Sequence, residues 1–169
     1  MTLEHPVAVR APRSLAEAAE AHLDDVLGYL LYLTRDRETA EDLTSATFEK
    51  ALRLWGRFDA TRGSARTWLL GIARTTALDW FRAETRRRKR EEAAALPERV
   101  DAAFAEGLSP ALEAALAALS AGEREVLALR IVLELDGDAT ARVLGISPTA
   151  VSTRLSRALK RLEERVNEG

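Results

Sequence analysis

The chain has 169 residues with no cysteine and a formal net charge of −2, and aromatic residues make up 5% of it. The lack of cysteine excludes disulfides and thiolate zinc sites, and the two histidines, His5 and His22, have no third ligand placed with them. Ala, Leu, Glu and Arg dominate without long β-branched alternations, so the predicted fold class is all-α.

The beginning of the chain bears on location. It has neither the basic start nor the apolar core of a signal peptide. The apolar run "VLGYLLYL", residues 26–33, is too short to cross a bilayer. We therefore expect a soluble, cytoplasmic protein that does not insert into a membrane.

Residues 14–55 are predicted to form two helices. Residues 1–13 read as a loose tail, after which Ser14 can cap a helix. "TRDRET", residues 34–39, is a predicted turn. Apolar side chains recur at helical spacing on both helices. The positions are Leu15, Ala19, Leu23, Val26, Leu27, Leu30 and Leu31 on the first, then Ala40, Leu43, Thr47, Phe48, Ala51 and Trp55 on the second.

A glycine-containing loop, "GRFDATRGS" at residues 56–64, precedes a third helix that Ser64 can cap and that extends to about Arg88. This helix has two faces. One is predicted to pack through Trp68, Leu69, Ile72, Thr76, Trp80 and Ala83. The other carries Thr67, Gly71, Arg74, Thr75, Leu78 and Arg82, and is either a partner-binding face or a solvated surface.

Charge separates along the middle of the chain. Residues 51–90 hold eleven Lys or Arg against three acids, whereas residues 91–125 hold eight acids against two arginines. The small net charge therefore conceals a basic stretch followed by an acidic one. Weak periodicity in residues 89–109 predicts a flexible linker between two small helical domains, residues 14–88 and 110–169.

The second domain ends in a predicted helix-turn-helix. Ser120 can cap a helix that extends to about Leu133, and a short helix follows at about residues 138–144. Gly145 can end that helix, and Ser147 with Pro148 can start the last one. Val151, Leu155, Ala158, Leu159, Leu162 and Val166 form its apolar stripe. The opposite side is rich in hydroxyl and basic groups, which suits a helix that reads DNA, although an ordinary surface helix would look similar.

Two long stretches resemble the extracytoplasmic-function (ECF) sigma factors of bacterial RNA polymerase, of the type with only regions two and four. The first, residues 33–82, contains "AEDL", "RFD", "RGS" and "ALD" in the order typical of that family. The second, residues 119–162, contains "VLGIS" and a similar final helix. The resemblance implies a non-enzymatic protein without a cofactor or a small-molecule substrate. It would bind core RNA polymerase and direct it to promoter DNA.

The resemblance also implies a polymerase-binding face around "AED". Carried over, its residues are Asp36, Glu41, Asp42 and Phe48. Two alternatives stay open for the acids. They can supply negative charge near a helix start, or Glu38, Glu41 and Asp42 can form a carboxylate metal site of a helical hydrolase.

Two DNA-reading faces follow from the resemblance. The loop and third helix would capture a flipped base and read the minus-ten element. The residues are Phe58, Asp59, Arg62, Gly63, Ser64, Thr67, Gly71, Arg74, Thr75 and Arg82. The last helix would read the minus-thirty-five element in the major groove. Its residues are Ser147, Thr149, Ser152, Thr153, Arg154, Ser156, Arg157 and Arg161.

The chain departs from the family pattern at two positions. Thr75 stands where Asn is common, which bears on base preference, and Thr140 stands where Ile is usual, which predicts weaker packing. In the family the linker threads into polymerase, and an anti-sigma factor commonly holds the protein inactive, so such a partner is expected. The chief alternative function is a self-sufficient helix-turn-helix repressor or activator, which would read paired half-sites as a dimer.

Overall fold

The structure, a computed structural model, describes residues 10–91 and 109–167. Every regular element in those two ranges is helical, which confirms the all-α prediction. None of the helices in these ranges combines the length and hydropathy needed to span a bilayer.

The first half is a three-helix unit. Its helices are α1 (Leu15–Thr34), α2 (Arg37–Leu54) and α3 (Ala65–Glu91), with a 3₁₀ turn at Trp55–Arg57. The Ser14 hydroxyl caps α1 by accepting from the Glu17 amide at 3.2 Å. The turn predicted at residues 34–39 is shorter in the structure and is limited to the junction between α1 and α2. Helix α3 continues to Glu91 instead of ending near Arg88.

The core of this unit lies where the three helices meet, since each packs on the other two. Val26, Leu30 and Leu69 are fully buried, as their spacing predicts. Leu23 shares the same helical spacing, but 45% of it is exposed. Conversely Tyr29, which the apolar spacing omits, is only 1% exposed.

The second half contains four α-helices: α4 (Pro110–Ala117), α5 (Ala121–Leu127), α6 (Gly137–Leu144) and α7 (Pro148–Asn167). A π-helical turn, Ala128–Val132, follows α5 directly. Ser120 caps α5 as predicted, in a reciprocal arrangement. Its hydroxyl accepts from the Glu123 amide at 3.2 Å, while the Glu123 carboxylate accepts from the Ser120 amide at 2.9 Å.

Helices α6 and α7 form the predicted helix-turn-helix. Gly145 ends α6 with φ of 65°, a left-handed conformation that glycine adopts without a steric penalty. The Ser147 hydroxyl accepts from the Ala150 amide at 3.1 Å and caps α7. Val151 and Ala158 are buried on one side of α7. The predicted stripe is too long, because Leu159 and Val166 are 45% and 47% exposed.

The two halves pack against each other. One continuous apolar cluster includes Val26 and Leu69 of the first half together with Leu129 and Val143 of the second. Helix α6 packs on α3, and the π-helical turn packs on α1. The sequence predicts two domains joined by a linker and carries no signal for this contact between them. The acidic linker side chains predicted between Glu92 and Glu106 lie outside the described residues.

Candidate nucleic-acid interface

The predicted polymerase-binding residues lie on α2. Asp36 caps this helix, since its carboxylate accepts from the Thr39 amide at 2.8 Å. Hydrogen bonds from the Thr39 side chain and amide lower the pKa of Asp36. Glu41 and Asp42 are exposed, and Glu41 pairs with Arg37 at 2.9 Å. Phe48 differs, because its ring is half-buried and packs against the core.

The loop between α2 and α3 is supported by three aromatic rings. Trp55 stacks on Phe58 with ring centroids 5.0 Å apart, and Trp68 meets Phe58 at 5.4 Å. Such clusters add about 0.5–1.5 kcal/mol per pair beyond simple burial. Phe58 therefore anchors the loop, and Trp68 lies on the packing side that its spacing predicts.

The polar groups of the loop hold its own backbone. Asp59 Oδ1 accepts from both the amide and the hydroxyl of Thr61, at 2.9 and 2.6 Å, and these side-chain and backbone bonds lower the pKa of Asp59. Ser64 Oγ accepts from the Thr67 amide at 3.1 Å and so caps α3. These bonds give the loop a defined shape over a concave surface. Its lining is formed by Arg57, Phe58, Asp59, Arg62, Gly63, Ser64, Thr67, Trp68, Gly71, Ile72, Thr75 and Arg142.

The predicted DNA-facing side of α3 is only partly open. Thr75 and Arg82 are exposed, whereas Thr67 is 8% exposed. Arg74 is engaged across the contact between the two halves, where its Nε donates to Glu125 Oε1 at 2.7 Å. Burial acts to lower the pKa of Arg74, but the hydrogen bond and charge of Glu125 outweigh it and raise that pKa.

The predicted DNA-reading face of α7 is open to solvent along its first three turns. Arg154 is half-buried beside Gly122, and Arg161 pairs with Glu123 at 2.9 Å. The remaining predicted residues are all exposed: Ser147, Thr149, Ser152, Thr153, Ser156 and Arg157. The arrangement presents short hydroxyls near the helix start and a basic group beyond them, which suits a helix that lies in a major groove.

Three residues next to these faces have no signal in the sequence. The Tyr29 hydroxyl donates a hydrogen bond to Glu125 at 2.7 Å, and Arg142 of α6 lines the concave surface under the loop. Tyr29 and Glu125 lie 96 positions apart along the chain. No local spacing rule connects positions so distant, so these contacts follow only from the fold. As for a metal site, no group of three or more candidate ligand side chains occurs among the described residues.

Both halves of the chain match known protein families. Residues 18–87 match Sigma-70 region 2, and residues 109–162 match Sigma-70 region 4. The chain is 37% identical over 150 residues to the ECF RNA polymerase sigma factor SigC of Mycobacterium tuberculosis, covering 86% of this chain and 80% of SigC. The chain belongs to the ECF sigma factor family. It is a sigma factor that directs RNA polymerase to promoters.

Other members of the ECF family agree with this assignment. SigX of Bacillus subtilis is 29% identical over 157 residues, covering 86% of this chain and 79% of SigX. Among solved structures, the sigma factor RpoE from Bartonella quintana, in complex with the anti-sigma factor NepR, superposes with a TM-score of 0.74. It is 23% identical, covering 90% of this chain and 96% of RpoE, and therefore shows a shared fold.

Proposed function

We propose that this sigma factor divides promoter recognition between its two exposed faces. The loop at residues 58–64 with the open side of α3 reads the minus-ten element, and the start of α7 reads the minus-thirty-five element. The observation that carries this assignment is the arrangement of α7. Its exposed hydroxyls and Arg157 lie opposite the buried Val151 and Ala158.

The acidic first turns of α2 bind core RNA polymerase in this proposal. Glu41 and Asp42 support it because both carboxylates are exposed, whereas Asp36 is committed to capping the helix. Phe48 contributes indirectly by holding α2 on the core. The protein performs no catalysis itself and acts in the cytoplasm, where the polymerase is.

The experiment is transcription reconstituted from purified protein, core RNA polymerase and a library of candidate promoters. We expect promoter-dependent transcripts with the wild type and their loss in Glu41→Ala/Asp42→Ala. The matched control is Glu20→Ala/Asp24→Ala, which removes two exposed acids from α1 and should leave transcription unchanged. No transcript with the wild type, together with tight specific duplex binding without polymerase, would instead indicate a self-sufficient repressor or activator.

We also propose that an anti-sigma factor holds this protein inactive. Support comes from RpoE of Bartonella quintana, a protein of the same fold whose structure contains the anti-sigma factor NepR. CnrH, which also shares the fold, is in complex with the cytosolic domain of CnrY. Because the chain contains no cysteine, thiol-based redox sensing would have to reside on the partner. Co-expression with the product of a neighbouring gene, followed by size-exclusion chromatography, tests for a stable complex that blocks transcription.

A further inference from the structure

Helix α7 is hydrogen-bonded to α5 through one buried carboxylate. Glu123 of α5 is 6% exposed, and its Oε2 accepts from the Ser120 amide and from Arg161 Nη1, each at 2.9 Å. Arg161 lies in the fourth turn of α7, beyond the exposed residues that we propose for the minus-thirty-five element. A buried carboxylate that lost the arginine would keep its charge without a counter-ion, which is strongly unfavourable. We therefore expect Arg161 to stay on Glu123 when α7 lies against DNA.

A second arginine of α7 reaches the same turn of α5. Arg154 is half-buried, and its Nη1 lies 3.4 Å from the position that a Cβ on Gly122 would occupy. Because Arg154 and Arg161 are seven residues apart, they project within about 20° of each other and lie about 10 Å apart along the helix. Both side chains therefore leave α7 on one side and reach the first turn of α5, which supports α7 laterally at two points.

The apolar packing of α7 holds the helix close to its neighbours but restrains its rotation weakly. The buried side chains within Pro148–Asn167 are Val151 and Ala158, and both are small. Leu155 and Leu162 are only partly buried beside them. Apolar contact is non-directional, and short side chains interlock little with a facing helix. The hydrogen bond at the fourth turn is directional, so it supplies the restraint on rotation that the packing lacks.

Rotation of α7 about its own axis matters because the groups on its exposed face are short. Ser152, Thr153 and Ser156 are exposed hydroxyl residues in its second and third turns. Side chains extend about 5–6 Å from a helix axis, so a rotation of about 10° moves a hydroxyl by about 1 Å. A recognition site must hold its groups within about 0.5 Å of the productive geometry. Loss of the restraint would therefore weaken base contacts without removing any residue that makes them.

We propose that Arg161 is a positioning residue that binds Glu123 and not DNA, and that this pair sets base preference at the minus-thirty-five element. The inference rests on the proposed function, in which the start of α7 reads that element. Sequence analysis predicts a DNA contact for Arg161, and its bond to a buried carboxylate argues against that role. Phosphate contacts stay the same with or without the pair, whereas discrimination between bases depends on it.

The test measures the base preference of reconstituted holoenzyme on promoters that are randomised only within the minus-thirty-five element. Glu123→Gln keeps the cap on α5, since glutamine also accepts from the Ser120 amide in this arrangement, but it removes the charge that holds Arg161. Arg161→Met keeps the aliphatic stem and removes the donors, and Arg161→Lys restores a positive charge. The matched control is Glu164→Gln, which removes an exposed acid of the same helix that pairs with Lys160 at 4.0 Å.

We expect Glu123→Gln and Arg161→Met each to lower the ratio of affinities for the best and worst sequences about tenfold. Arg161→Lys should recover most of that ratio, and Glu164→Gln should leave it unchanged. The double variant Glu123→Gln/Arg161→Met should lose no more than either single variant, because both remove the same contact. The salt dependence of duplex binding should stay at the wild-type slope, because that slope reports phosphate contacts.

Two results would overturn the positioning role. One is wild-type discrimination in both Glu123→Gln and Arg161→Met, each checked for retained helicity. The other is a salt slope lowered by about one in Arg161→Met but not in Glu123→Gln, which would place Arg161 on a phosphate. Wild-type holoenzyme without any preference at the minus-thirty-five element would overturn the proposed function of α7 and this inference with it, whereas the first two results overturn the inference alone.

Discussion

Replacement of Thr140 by valine should stabilise the protein. Thr140 lies on α6 and is fully buried, and its hydroxyl has no hydrogen-bond partner among the described residues. Its backbone is satisfied, since the amide donates to the Asp136 carbonyl at 3.0 Å. Valine replaces the hydroxyl with a methyl of similar shape, so the change removes an unpaired polar group and leaves the backbone untouched.

The expected increase in the free energy of unfolding equals the cost of burying an unpaired polar group, about 1–3 kcal/mol. For a chain of this length each kcal/mol shifts the melting temperature by about 2–4 °C, so Tm should rise by about 2–12 °C. Thermal and urea unfolding, monitored by far-UV circular dichroism, measure Tm and the free energy of unfolding. A change in the urea midpoint without a change in slope would assign the effect to stability itself.

Thr47→Val is the matched control. Thr47 is also fully buried on a helix, but its hydroxyl donates to the Leu43 carbonyl at 2.7 Å. The same substitution there removes a made hydrogen bond and should lower stability by about 1 kcal/mol. If Thr140→Val left Tm unchanged or lowered it, the unpaired hydroxyl would not be a source of instability and the reasoning would fail.

Three further predictions concern region 4. Ser120→Ala removes the hydroxyl that caps α5 and should cost about 1 kcal/mol in urea unfolding; an unchanged midpoint would show that the cap is dispensable. The hydrogen bond from the Ser120 amide, followed by the Ser120 hydroxyl and the charge and hydrogen bond of Arg161, lowers the pKa of Glu123. The contribution of Glu123 to stability is therefore complete above the ordinary pKa of a glutamate. It is lost as pH falls through the lower folded-state value, and Glu123→Gln should flatten that part of an acid titration of stability. Arg157→Ala, which removes an exposed basic group on α7, should weaken duplex binding by the polymerase holoenzyme and reduce its salt dependence; an unaltered salt slope would place Arg157 away from phosphates.

Much of the fold could be predicted because its signals are local. Ser14, Ser64, Ser120 and Ser147 each cap the helix that sequence spacing assigns to it. Cap residues act within a single turn, so one sequence is enough to detect them. The turn at Gly145 is of the same kind, since only its own backbone conformation is involved.

The parts that could not be predicted depend on distant packing. Leu23 and Leu159 fit helical periodicity but are each 45% exposed, because periodicity identifies a face without showing how far the neighbouring helix extends. The predicted position of Arg74 is on a DNA-facing side, and nothing nearby in sequence indicates that Glu125, 51 positions away, contacts it. The residue assignments for promoter and polymerase contact remain predictions that the experiments above address.

The tight turn between α6 and α7 has a mechanical consequence. Gly145, Ile146 and Ser147 alone separate the two helices, and Ile146 packs against the core. So short a connection makes α6 and α7 move as one rigid lever. A displacement of α6 away from α3 must therefore swing the reading helix as well. Exposure of the α3 surface that we propose for the minus-ten element is therefore coupled to reorientation of α7, the helix that we propose for the minus-thirty-five element. A partner that displaces α6 also displaces α7.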